Sequence, residues 1–289
     1  MLVLFTDTDT DMTPEVAAKY NYNLISMPYS IDSKTTYPYV DFDVFDAKAF
    51  YDGLRKGNLP NTSAIPIERY VEYFEPHFAA GNDIFYVHFS RAMTATFDNM
   101  DSALAILKEK YPERKFYEVD TKAITTLSYS IVVDIGELFL AGKTAEEVLE
   151  WAKVEVDKHT MYFMADDLKF FKHSGRVSGI AGTMGNLLGI RPIIYMSAEG
   201  KMVSIGKEKG RAKAIARLIA YMDELGDDVK NHRIFIGHTD AMALVEELVV
   251  ALKEKLGDDV QYEIVNVNPT AGSHCGPNAI GLCFHSIHR

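Results

Sequence analysis

Cysteine is nearly missing from this chain. The two present, Cys275 and Cys283, fit neither a disulfide framework nor a zinc-site spacing, and are read as reduced packing residues. An excess of positive charge is missing too. Lys and Arg number 30 against 41 Asp and Glu, for a formal net charge of −11. No basic stripe is available for nucleic acid, and an anionic membrane surface would repel the chain as a whole. A small anion would have to be held by local dipoles and hydroxyls. No apolar run approaches the ~18 residues of a membrane span, so no membrane insertion is expected. The first residues, Met1-Leu2-Val3-Leu4-Phe5-Thr6-Asp7, have a short apolar run and no basic residue before it, unlike a secretory signal. A cytoplasmic location is expected, in which the sequon Asn61-Thr62-Ser63 carries no glycan. The motifs G-x-x-x-x-G-K-[ST], G-x-S-x-G and H-E-x-x-H are all lacking.

What is there is an ordinary globular mixture, 47% hydrophobic and 25% charged. The length suggests two domains, with core enough for an internal cavity. Strands are expected at Leu2–Phe5, Leu24–Pro28, Asp83–Phe89 and Lys115–Val119. Helices are expected from the Thr13-Pro14 start and over Asp46–Lys56, Pro66–Ala79, Met93–Lys110, Thr125–Ala141 and Thr144–His159. Strands separated by helices of this length predict an α/β class, with a mainly parallel sheet between helical layers. Beyond about residue 160 the pattern changes. A strand at Met161–Ala165 precedes a zone with Gly175, Gly179, Gly182, Gly185 and Gly189. Then come two strands, Ile190–Met196 and Lys201–Ile205, joined by Ser197-Ala198-Glu199-Gly200 as a hairpin. Further helices (Arg211–Leu225, Ala241–Leu256) and strands (Arg233–Gly237, Gln261–Asn266, Ile280–His285) suggest an α+β unit with a mixed or antiparallel sheet. The expected domains are 1–160 and 161–289.

Two places invite chemistry. The first is Asp7-Thr8-Asp9-Thr10 after the first strand. Its four residues fit the first four places of the D-x-D-x-T start of haloacid-dehalogenase-like phosphatases, in which the first Asp attacks phosphorus and the second moves a proton. The plainer alternative is that Asp7 ends its strand and accepts backbone hydrogen bonds. A calcium loop is excluded, because Met12 and Ala18 stand at its glycine and glutamate positions. Of the acidic doublets, Asp166-Asp167 is read as opening a helix. Asp227-Asp228 and Asp258-Asp259 are read as polar-loop residues. The second place is a pair of hydroxyl-rich loops, Asn61-Thr62-Ser63 and Ser90-Arg91-Ala92-Met93-Thr94. The latter joins a buried strand to a helix, where ligands of open α/β sheets gather and free N–H groups favour anions. Thr94 is its natural N-cap.

Seven segments in order carry a resemblance. Thr6-Asp7-Thr8-Asp9 stands for T-D-S-T, Thr62-Ser63-Ala64-Ile65-Pro66 for a T-S-x-P loop, and Ser90-Arg91-Ala92-Met93-Thr94-Ala95-Thr96-Phe97 for S-S-x-L-S-G-T-Y. Val119-Asp120-Thr121 stands for V-D-S. The central block is Lys172-His173-Ser174-Gly175-Arg176-Val177-Ser178 with Gly185-Asn186-Leu187-Leu188-Gly189-Ile190-Arg191-Pro192. Lys207-Glu208-Lys209-Gly210-Arg211-Ala212-Lys213-Ala214 and His274-Cys275-Gly276-Pro277-Asn278-Ala279-Ile280-Gly281 complete the set. Over nearly its whole length the chain resembles the DegV family of bacterial fatty-acid-binding proteins. The resemblance implies a carrier rather than an enzyme, with no cofactor, that buries one long-chain fatty acid between its domains. It places the carboxylate on Thr62 and Thr94, with Ser63 and His274 nearby. It also implies a separate fatty-acid kinase that makes the acyl phosphate for phospholipid synthesis, with Lys209 and Arg211 as docking residues. A monomer is expected. Lys209 for Arg, Ala95 for Gly and Asn278 for Gly depart from the pattern. The alkyl tail would need an apolar tunnel, which the central glycines would let the backbone approach closely; tight helix packing is an equal alternative for them.

Overall fold

The computed structural model describes residues 1–166, 168–178 and 189–289. The Asp167 half of one acidic doublet, Gly179, Gly182 and Gly185, and the Gly185–Leu188 part of the central block lie outside them. The first half of the chain runs β1 (Leu2–Asp7), α1 (Pro14–Lys19), β2 (Tyr22–Ile25), β3 (Tyr29–Ile31), β4 (Lys34–Thr36), α2 (Ala47–Arg55), β5 (Asn61–Thr62), α3 (Ile67–Ala79), β6 (Asp83–His88), α4 (Thr96–Lys110), β7 (Phe116–Asp120), α5 (Thr125–Leu140) and α6 (Ala145–Glu155). The second half runs β8 (His159–Met164), α7 (Lys169–Ser174), β9 (Val177–Ser178), β10 (Ile190–Met196), β11 (Met202–Lys209), α8 (Arg211–Leu225), β12 (Ile234–His238), α9 (Met242–Leu256), β13 (Tyr262–Asn266), α10 (Pro269–Cys275) and β14 (Ile280–His285).

Two main sheets result. The first is all parallel, in the order β2-β1-β6-β7. The strand order reverses at β1, so the crevice between the carboxyl ends of β1 and β6 is the topological switch point. The second sheet is mixed, in the order β13-β12-β14-β8-β10-β11-β9. Its β10–β11 pair is the expected hairpin, closed by Ser197–Lys201 backbone bonding.

Alternation along the strands divides the second sheet's faces. Met161, Phe163 and Phe235 join one core with the first sheet, while Tyr162, Met164, Ile234 and Ile236 pack under α8 and α9. Between the sheets lies α5. Its first nine residues are all buried and it packs on β6, β8, β12 and β14. An apolar helix of this kind is what a helix enclosed on all sides requires. Helix α6 faces water on one side and relies on a capping box. Thr144 Oγ1 accepts from the Glu147 N–H, and the Glu147 carboxylate accepts from the Thr144 N–H. Both cysteines are free, Cys283 fully buried, and burial pushes both thiols up to about 12.

Three local expectations are corrected. The segment 29–62 holds a three-stranded antiparallel sheet, β4-β3-β5. Its hairpin turn, Asp32-Ser33, has both residues at positive φ, the geometry usually supplied by Asn-Gly; without a glycine the signal was hidden. Helix α4 begins at Thr96 with Ala95 at its N-cap, because Arg91–Met93 first form a 3-10 turn and leave Thr94 extended. Thr94 is thus no cap of α4 in the expected sense; its Oγ1 accepts the Thr96 N–H at 3.1 Å. Asp166 opens no helix. It pairs with Arg191 at 2.8 Å and Arg211 at 3.3 Å, and α7 starts at Lys169.

Candidate functional site

The loop after β1 is fully enclosed. Asp7 is 0% exposed and both of its carboxylate oxygens are occupied. Oδ1 accepts the Asp9 N–H at 2.9 Å, and Oδ2 accepts the Tyr86 hydroxyl at 3.1 Å and the Phe89 N–H at 3.2 Å. Burial raises its pKa to about 7 against those hydrogen bonds and the nearby His88. A carboxyl so enclosed and engaged is not presented to a substrate as a nucleophile. Asp7 has the strand-ending role of the plainer reading. Among the described residues, no group of three or more His, Cys, Asp and Glu side chains is placed to hold a metal ion. Asp11 is a brace. Its Oδ1 accepts the backbone and side-chain N–H groups of Asn268 at 2.9 and 2.8 Å, and its Oδ2 accepts the Thr126 hydroxyl at 3.0 Å. One carboxyl therefore ties the first loop to the starts of α5 and α10.

Helix α10 was not anticipated, although Asn268-Pro269 is an N-cap followed by proline at the first helical position. It carries His274 to the Thr62 strand. His274 Nε2 lies 3.1 Å from Thr62 Oγ1. Burial, then Arg176 and His173, lower the His274 pKa to about 4, so near pH 7 the ring is neutral and has one N–H. The pair then shares two polar hydrogens, one on the ring and one on the hydroxyl, and their mutual bond uses one. The other remains to be donated in either tautomer.

The two hydroxyl loops are clipped together by residues that sequence reasoning missed. Thr96 Oγ1 accepts the Ile65 N–H at 2.9 Å, and Asn99 donates to the Ile65 carbonyl at 2.7 Å. Both stand in the first turn of α4 or just after it, and a hydroxyl there was the available clue. A pocket forms at the switch point of the first sheet, between the ends of β1 and β6. Thr62, Ser63, Thr94 and His274 all line it, together with Asp9, Thr270 and Arg176. Arg176 is exposed, with one guanidinium N–H on the Ser174 carbonyl at 2.7 Å. The pocket thus has a cation, where hydroxyls and a helix start alone had been expected.

An apolar cavity adjoins it. It lies between α10, the start of α5 and the second sheet, lined by Met161, Phe163, Met196, Met202, Ile280 and their neighbours. Ile124 and His274 line both spaces. The cavity is narrow, about 30 Å³. The glycines on its wall are Gly237 and Gly281. A Cβ on Gly281 would collide with Met161 Cε and sit 2.9 Å from Phe163 Cβ. Gly175 and Gly189 are instead positive-φ residues with open space around them, so the described part of the glycine zone makes turns and does not line the tunnel. Lys209 and Arg211 lie elsewhere, at the end of β11 and the start of α8, both exposed and outside the linings of the pocket and the cavity.

Together these features define a two-sheet α/β protein with an apolar cavity that adjoins a polar, hydroxyl-rich pocket. The sequence model described as "Uncharacterised protein, DegV family" matches residues 1–286, and the chain belongs to that family. A DegV domain-containing protein of Clostridium perfringens is 30% identical over 282 residues, 98% of this chain and 96% of that one. Among solved structures, a Thermus thermophilus DegV-family protein described as binding fatty acid superposes with a TM-score of 0.86 at 20% identity, covering 99% of each chain. A stearic-acid-binding protein of Eubacterium ventriosum gives 0.85 at 19% identity, covering 99% of this chain and 98% of that one. Among the described residues no helix is long and apolar enough to cross a membrane.

Proposed function

We propose that this protein is a monomeric cytoplasmic carrier that buries one long-chain fatty acid and does no covalent chemistry of its own. The observation that carries this reading is the junction at His274, where an apolar cavity meets a pocket of hydrogen-bond donors. A fatty acid has that same division. Its tail gains ~0.8 kcal/mol for each CH₂ removed from water, and its carboxylate needs donors when desolvated. Residues 1–160 contribute the head-group loops, and 161–289 most of the wall around the tail. Thr62, Ser63, Thr94 and His274 are the proposed carboxylate residues, with Arg176 as a partial counter-charge. The fatty-acid-binding descriptions of similarly folded relatives support the same ligand class. Mass spectrometry of lipid extracted from the freshly purified protein tests it. One long-chain fatty acid per chain is expected; protein with no extractable fatty acid, and no rise in melting temperature on adding one, would refute the reading.

The carrier is proposed to present its carboxylate to a fatty-acid kinase for acyl phosphate formation. Lys207, Lys209, Arg211 and Lys213 gather positive charge around the start of α8 on an acidic chain. Reversing Lys209 and Arg211 to Glu is expected to slow acyl phosphate formation while leaving fatty-acid affinity unchanged. Kinase assays paired with direct binding check this, and a parallel loss of both would show damage to the fold. Arg211 also holds Asp166, so Lys209→Glu alone is the cleaner variant.

A further inference from the structure

Asp9 has no place in the head-group scheme above. Asp7 and Asp11 on either side have their oxygens occupied by fixed protein donors. Asp9 is 6% exposed, lines the same pocket as Thr62 and His274, and its Oδ1 is buried without a hydrogen-bond partner. An unpartnered buried oxygen is costly unless something completes it. In the T-D-S-T pattern of the resemblance threonine stands at this place, where this chain has Asp.

We propose that Asp9 is a ligand-binding group of this pocket, which as a neutral carboxylic acid donates a hydrogen bond to the fatty acid's carboxylate, so that the two carboxyls share one proton. This rests on the carrier reading. Two ionised carboxylates cannot occupy one desolvated site cheaply, and a shared proton removes the conflict while making a short, charge-assisted bond. Burial, with the Asp7 and Asp11 carboxyls beside it, drives the Asp9 pKa well above the usual range. The titratable groups around Asp9 divide by whether they change charge between pH 6 and 9. His274 on α10 is neutral and Cys275 on α10 is a thiol. Tyr86 on β6 is a phenol, its pKa driven up by burial. Asp7 and Asp11, whose pKa values burial raises to about 7, do titrate in that range, and the slope they add is common to wild type and the Asp9 variants. Arg176 before β9 is the cation of the pocket, and the His88 imidazole on β6 lies near Asp7.

The sign follows from linkage. Below the Asp9 pKa the proton is already in place. Above it, binding must take up a proton, and affinity falls by up to tenfold per pH unit. The test is palmitate affinity, by calorimetry across pH 6 to 9, for wild type, Asp9→Asn and Asp9→Thr, with the infrared carbonyl region of wild type loaded with carboxyl-¹³C palmitate. The expected result is a profile that falls more steeply with pH in wild type than in either variant. Asp9→Asn should bind more tightly than wild type at the alkaline end. A protonated-acid carbonyl band should be present in the loaded wild type and lost in Asp9→Asn. Parallel profiles in wild type and variants, or no such band, would overturn the role of Asp9 while leaving the carrier intact. No palmitate binding by any of the three at any pH would overturn the carrier reading itself, and this proposal with it.

Discussion

Asp11→Ala is expected to destabilise the protein by about 3–5 kcal/mol, which is the cost of leaving several buried hydrogen-bond donors without their acceptor. Three donors, two on Asn268 and one on Thr126, would be left in a buried site with no acceptor, each costing about 1–3 kcal/mol when unsatisfied. Asp11 also sits at φ 59, a left-handed conformation that Asp and Asn tolerate better than Ala. Asp11→Asn keeps that tolerance and one acceptor, and should cost clearly less. Urea midpoints at unchanged slope measure the difference; a loss under about 1 kcal/mol for Asp11→Ala would show that the brace contributes little. There is a pH signature as well. Burial raises the Asp11 pKa to about 7, so between its unfolded value of about 4 and 7 the folded state binds the extra proton. The contribution of Asp11 to stability is therefore fully present at the acid end and is lost as pH rises through 7. Asp11→Asn should remove that part of the slope.

Thr62→Val is expected to weaken palmitate binding about 10- to 100-fold, because a hydrogen bond to a charged group contributes roughly 1.5–3 kcal/mol. The substitution keeps a β-branched side chain of similar volume, so β5 and its pairing with Tyr29 should survive. It also leaves His274 without its hydroxyl partner, which removes the leftover donor hydrogen of that pair or frees the ring to reorient. The loss should be the same for short and long fatty acids, since the head group is common to all. A substitution on the tail cavity, such as Met196→Phe, should instead change the preference among chain lengths. Affinities of Thr62→Val for a ten-carbon and a sixteen-carbon acid that both match wild type would remove Thr62 from the carboxylate site. Thr94→Val is a less direct comparison, because it removes the acceptor of the Thr96 N–H and so loosens the turn that presents the loop.

The fold class was legible because the two sheets write themselves in different periods. Apolar runs such as Asp83–His88, separated by amphipathic helices, announce buried parallel strands. The glycine-turned hairpin ahead of α8 announces a mixed sheet. The hydroxyl loops were legible too, since Thr62 and Thr94 follow or precede recognisable elements, and ordered motifs along the whole chain carried the family. What the sequence could not show is what depends on distant residues meeting. His274 reaches Thr62 only because α10 is held by Asp11 across most of the chain's length. The cavity exists only because α5 and α10 pack on the second sheet without filling it. Asp7, Asp9 and Asp11 look alike as a string, and any of them suits catalysis, a turn or a capping role. Burial and hydrogen-bond partners separate them, into a strand end, an unpartnered acid facing a pocket and a brace. Local periodicity is set by neighbours a few residues away, so one sequence carries it; desolvation and partner geometry are set by long-range contacts, and only the folded chain decides them.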